Sequence, residues 1–418
     1  MIAPRRNGSA VRRSARSNAA VQVRELRIDL RSRFRAAVRE HALFLGGIAA
    51  YWVIAVAAGA HALAAPGWAV LVGSSIWGVL AVTDLAATGV ERVARTRLAR
   101  LPADWLRRRT RDPVEALRIM LGASGISAIL LTFGAAKPLI GRLASYRWDG
   151  VFTAWDRVLH GGTNPWVLTQ ALPGGAVTSL VLDRMYLGWY PVLFVACLAA
   201  VLVDRPALRQ QYLLSLLLIW SIAGTAMAFA FASGGPVYFQ AFTGHTGTFV
   251  PLGAEFPSLE LWAPALQQKL WAVHVAGDGV AFSGISAMPS VHVAAAALVC
   301  LLARRLHPAL GLAGLAFWIL IMVGSVYLGW HYAVDGYVGT VFALVSWWAT
   351  GVLARWWLDR PAEVWYGGAI RWLLPRRAPA RSRQPQHAAT RDSAHAAVGR
   401  KAARARPRDV ALRNRNKA

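Results

Sequence analysis

Charge is scarce in this chain. Charged residues are 16% of its 418 and hydrophobic ones 56%, whereas an average soluble protein carries roughly a quarter charged residues. That shortage excludes an ordinary water-soluble globule. Acidic residues are scarcest, 20 against 46 Lys and Arg, and no carboxylate cluster of the kind divalent ions need can be read from their positions. Cysteine is nearly missing. Cys197 and Cys300 both lie in apolar stretches, which excludes a disulfide framework and a cysteine metal site. A Gly-rich phosphate loop of the P-loop type is also lacking. The expectation is a chain with no metal and no nucleotide cofactor.

The formal net charge of +26 raises nucleic-acid binding as a class. The distribution excludes it. Arg is dense in 5–39, 92–118 and 355–415, while the apolar stretches between carry almost none. No aromatic-interleaved basic fold is visible there, so these stretches read as solvated basic segments beside anionic lipid headgroups. Membrane lipids, not nucleic acid, are the expected surroundings, and oligomeric state has no signal.

What the chain does have is apolar runs. About 20 such residues cross the hydrocarbon core, and about eight stretches qualify: 43–63, 67–88, 117–136, 187–203, 212–232, 286–303, 309–329 and 335–354. The expected fold is an all-α integral membrane protein. The first 40 residues are too long and too Arg-rich for a cleavable signal, so the first span is expected to remain as an anchor. Counting Lys and Arg in the loops places both termini, the 91–118 loop, 204–211 and 303–308 in the cytoplasm. The longer segments 137–186 and 233–285 then fall outside. Residues 1–40 read as a disordered basic arm, 41–116 as an appended hairpin with a basic cytoplasmic loop, 117–358 as a six-helix body, and 359–418 as a mostly disordered basic tail. The 19 Trp read as interfacial belts.

Two polar clusters fall on the same expected outer face. "AMPSVH" at 287–292 supplies Pro289, Ser290 and His292, and "SVYLGWHYAVDGYVG" at 325–339 supplies His331 and Asp335. With a helix begun by His331, the i, i+4 spacing sets imidazole and carboxylate on one face. Asp335 can then hold the Nδ1 proton of His331 and leave Nε2 as a nucleophile. His292 is a second imidazole, able to protonate a leaving oxygen and then activate an acceptor. Ionisable groups at membrane depth are functional by default.

These motifs resemble the type-2 phosphatidic acid phosphatase superfamily, with its Pro-Ser-x-His and Ser-Arg-x5-His-x3-Asp signatures. Pro289, Ser290 and His292 match the former, and His331, Asp335 and the following Gly339 the end of the latter. The resemblance implies a lipid phosphate substrate, His331 as the nucleophile that becomes phosphohistidine, Asp335 as its orienter, and His292 as acid and base. Ser290 and the backbone N–H groups beside it would hold phosphate.

The departures are specific. Gly324 and Ser325 stand where that signature has Ser-Arg, and the Lys-x6-Arg-Pro signature is not found: Arg205-Pro206 lies on the wrong side and Lys137 lacks its partner. The pattern is similar to the inositol phosphorylceramide synthase-like branch, an inositolphosphotransferase group, through "YLGWHYAVD" at 327–335, "AMPSVH", and "GGPVYF" at 234–239, which brings in Gly235 and Tyr238. "WDRVLHGG" and "DRMYLGWY" add Asp156, His160, Asp183, Arg184 and Tyr186, with Arg184 the expected stand-in cation; Lys269 and His274 are further candidates. The implied activity is a phosphatase or phosphotransferase working on the non-cytoplasmic face. A lipid or polyprenyl phosphate phosphatase, and a non-catalytic scaffold or lipid transporter with a degenerate site, are the competing readings. A vanadate-binding halide oxidiser is a distant third.

Overall fold

The computed structural model describes residues 8–60, 109, 111–249 and 259–360. The expected second span, 67–88, and most of the C-terminal tail lie outside them. In chain order the helices are α1 (Gly8–Ala57), α2 (Pro113–Leu143), α3 (Asp149–Leu159), α4 (Pro165–Gln170), α5 (Ala176–Leu187) and α6 (Trp189–Leu202). They continue with α7 (Pro206–Leu218), α8 (Phe239–Thr243), α9 (Trp262–Ala276), α10 (Val291–Leu306), α11 (Pro308–Tyr327) and α12 (Ala333–Asp359). A π-helical stretch, Ile219–Met227, and one further α turn, Ala228–Ala230, prolong α7. The described chain is all-helical, and six of its helical stretches are long and apolar enough to cross a membrane: Ile28–Ala57, Pro113–Leu143, Ala176–Leu202, Pro206–Ala230, Pro308–Tyr327 and Ala333–Asp359. This is the make-up of a multi-pass membrane protein.

Several expectations change. Residues 8–40, read as an irregular arm, belong to α1, because Ala and Arg are good helix formers and outweigh the lack of apolar periodicity. The span expected at 187–203 starts at Ala176, with a break at Gly188. The one expected at 286–303 becomes a loop followed by α10, 16 residues long. Pro289 at its start and the Ser290 hydroxyl, which accepts from the Val293 N–H at 3.4 Å, delay the helix to Val291.

Nor is α1 an appendage. Phe44, Ile48 and Tyr51 share one buried core with Ile129 and Phe133 of α2, Leu213 and Leu217 of α7, and Ala294 to Leu298 of α10. The Phe44 ring occupies the space a side chain at Gly125 would need. One buried carboxylate ties the three helices: Glu40 accepts from Arg209 of α7 at 2.6 Å and lies 3.1 Å from Arg118 of α2. Breaking a buried pair leaves a charge without compensation, at roughly 3–5 kcal/mol. Glu40→Ala is therefore expected to lower the thermal unfolding midpoint in detergent sharply, and a midpoint within a degree or so of wild type would contradict a joined bundle.

Candidate active site

Two buried aspartates on one short helix fix the backbone around the second histidine motif. Asp149, at the start of α3, accepts from the N–H groups of Gly234 and Gly235 at 2.9–3.0 Å and from the Tyr332 hydroxyl at 2.8 Å. Asp156, two turns on, accepts from the Ala333 and Val334 N–H groups, both at 2.8 Å, and so caps α12. Burial raises the carboxyl pKa of both, against the lowering effect of these donors. A third, Asp183 of α5, does the same for α9 through Trp262 and Ala263 at 3.0 and 2.8 Å. Each helix start otherwise leaves orphan donors, and here the acids of α3 and α5 take them.

The two histidine motifs meet because their backbones touch. The Ser290 N–H donates to the Asp335 carbonyl at 3.0 Å, and Gly339 lies so close to the Ser290 carbonyl that a Cβ would sit 2.5 Å from its oxygen. The carbonyl of Ser325 accepts from the N–H groups of Trp330 and His331 at 3.0 and 3.1 Å, closing the turn that delivers His331. Gly235 has φ +89°, and its missing Cβ leaves room for the Trp330 carbonyl, a place only glycine fills without strain.

Beside this junction lies a cavity of about 680 Å³. The rings of His292 and His331 line it, with centroids 6.3 Å apart. His331 Nδ1 is 3.4 Å from Asp335 Oδ2, which also accepts the Tyr332 N–H at 2.9 Å. Among the described residues neither that Nδ1 nor Asp335 Oδ1 has a hydrogen-bond partner, so the pair is arranged but not closed. Catalytic hydrogen bonds often tighten only when substrate binds. His292 is stacked on Tyr186, centroids 5.0 Å apart, and lies 4.4 Å from Trp189, whose Nε1 donates to the His292 carbonyl. Lys137 of α2 and Lys269 of α9 also line the cavity, and no Asp or Glu among the described residues does.

Burial lowers the pKa of His331 to about 3 from an ordinary 6.5. The imidazole is thus neutral at physiological pH, as a nucleophile must be. The sign for stability follows: with a folded pKa below the unfolded one, His331 contributes stability that is whole above pH 6.5 and is lost as pH falls toward about 3. The thermal midpoint of wild type in detergent is expected to drop more steeply below about pH 6 than that of His331→Asn. Parallel curves for the two proteins would show that His331 is not buried as a neutral ring.

Of the residues singled out from the sequence, His331, His292, Pro289, Tyr238, Tyr186 and Lys269 line the cavity. Asp335 stands behind His331. Ser290 is fully buried as the cap of α10, and Gly235 belongs to the Asp149 cradle, with its neighbour Gly234 on the cavity wall. Arg184 lies elsewhere: it pairs with Asp183 at 2.6 Å, donates to the Glu260 carbonyl and covers the Trp262 ring. His160 bonds the Tyr337 hydroxyl at 2.8 Å, and His274 packs on Tyr146 and Phe242. Sequence reasoning set Lys137 aside for want of its signature partner. A lone lysine inside the apolar run of α2 was the signal, since such a group marks a site by default.

Two histidines and two lysines of this helical bundle thus line a largely apolar cavity. Residues 151–349 match the family model of the PAP2 superfamily. The match spans both histidine motifs and supports the resemblance to type-2 phosphatidic acid phosphatases and a lipid phosphatase-type function at that general level. No curated protein and no solved structure matches the chain.

Proposed function

We propose that this protein transfers phosphoryl or phosphoalcohol groups from a membrane lipid through a covalent bond to His331. With Nδ1 turned to Asp335, Nε2 attacks phosphorus. The bond to the leaving oxygen breaks, and that oxygen takes a proton from His292, whose protonated form the bound anion favours. In the second half His292 takes the proton of an incoming hydroxyl, whose oxygen forms the new bond to phosphorus as the bond to Nε2 breaks. The observation that carries this reading is the cavity itself, with paired imidazoles and lysines, no carboxylate among the described residues of its wall, and apolar walls beyond. An anion is stabilised there and an acyl or prenyl chain is accommodated beside it.

The finer reading is transfer to an alcohol, inositolphosphotransferase-like, on the non-cytoplasmic face. Its support is the "GGPVYF", "AMPSVH" and "YLGWHYAVD" set, the first of which Asp149 holds against Tyr332, together with the distribution of basic residues among the loops. The test uses purified protein with phosphatidylinositol-type and phosphomonoester lipid donors, with and without a ceramide or diacylglycerol acceptor. Product that forms only with acceptor is expected. Phosphate release that needs no acceptor would replace transfer by hydrolysis, and absence of turnover on every donor would remove the enzymatic reading.

A further inference from the structure

The cavity is longer than a phosphate site requires, and its length is written on two helices. On α2 it is lined by Ile126, Leu130, Phe133 and Lys137, at intervals of four, three and four, which is one helix face. On α5 and α6 it is lined by Tyr186, Trp189, Tyr190, Leu193, Phe194 and Cys197. Both ladders begin at the reacting groups, Lys137 on one and Tyr186 against His292 on the other. Each ends eleven residues away in apolar side chains, a depth of about 16 Å at 1.5 Å per residue. Leu216 of α7 and Trp220 of the π-helical stretch complete the inner wall. Tyr190 and Phe194 line the cavity yet are 62% and 51% exposed, so the wall is open sideways at α6.

We propose that this cavity is a chain channel: one apolar chain of the phosphorylated lipid lies inside the protein between α2 and α6, enters sideways past Tyr190 and Phe194, and is measured by a floor of Ile126, Cys197 and Leu216. The proposal rests on the catalytic reading only for the position of the headgroup. It makes chain length a property selected by named residues. Filling the floor shortens the preferred chain and opening it lengthens the preferred chain. Lateral access follows from the substrate's own position, since a chain already in lipid gains little by passing through water.

The test is equilibrium binding of non-hydrolysable n-alkylphosphonates to the full-length protein in lipid nanodiscs, comparing hexyl-, dodecyl- and hexadecylphosphonate. Cys197→Phe is expected to weaken hexadecylphosphonate relative to hexylphosphonate about tenfold, the effect of overfilling an apolar site. Leu216→Ala is expected to move the preference the other way. Because the two changes act in opposite directions, general damage to the fold does not imitate them. A chain-length preference identical in wild type and both variants would overturn the channel. Turnover does not enter this measurement, so the two readings fail separately. A preference that moves in a protein without His331-dependent turnover keeps the channel and removes the catalysis. His331-dependent turnover with an unmoved preference does the reverse.

Discussion

His331→Ala is expected to lower turnover on any accepted lipid donor by about 10⁴-fold or more, the scale seen when a nucleophile that forms a covalent intermediate is removed. The same change should abolish a trapped phosphoenzyme. His292→Ala is expected to differ in kind. Without the acid and base, attack on a donor with a good leaving group still proceeds, so phosphoenzyme accumulates from an activated phosphate ester while its breakdown slows. The comparison separates the two imidazoles by role, which their near-equal placement on the cavity wall does not. Wild-type-like turnover in His331→Ala, with the protein folded, would rule out the covalent route and with it the reading of Asp335 as orienter. The structure makes the control clean on one side. His331 sits in a turn held by backbone bonds to Ser325, so its side chain is not what closes the loop.

How much of this was legible in the sequence follows from where the information lies. The histidine motifs were readable because their residues are close in sequence: His331 and Asp335 are four residues apart, although α12 starts only at Ala333 and His331 lies in the turn before it, not on the helix as expected. Ser290 announces the start of α10. The all-helical membrane architecture was readable because apolar runs report it directly. Helix limits were less so. The loop at 284–290 and the break at Gly188 depend on proline, capping and packing that hydropathy averages over. Long-range pairings were out of reach. Asp149, Asp156 and Asp183 look alike as acids near apolar segments, and only the fold shows that each takes the free N–H groups of a helix or loop 79 to 178 residues away. Arg184 was singled out because a site that lacks its usual arginine needs a cation from elsewhere, yet its neighbour Asp183 holds it away.

A cation that does line the cavity is Lys137, and its removal carries the second large effect. Gly324 and Ser325 leave the phosphate without the arginine that the resembled signature supplies. Among the described residues the amino groups on the wall are those of Lys137 and Lys269. Lys137 sits on the face of α2 that faces the cavity, its Nζ 5.3 Å from the Phe133 ring centroid, and the loop at Gly284 closes over its backbone. A charge held in an apolar, water-poor setting acts on developing negative charge far more strongly than one in water. Lys137→Met keeps the length and apolar stem and removes the charge, and is expected to lower kcat about 10²- to 10³-fold, the scale of losing one preorganised stabilising group. Lys137→Arg is expected to restore part of it, because a second donor geometry still presents the charge. Lys269, on α9, is the contrast: as a binding contact its loss should raise KM and leave kcat close to wild type. If Lys137→Met changed only KM, the lysine would be an attractor for the headgroup and the transition-state charge would have to rest on the two imidazoles.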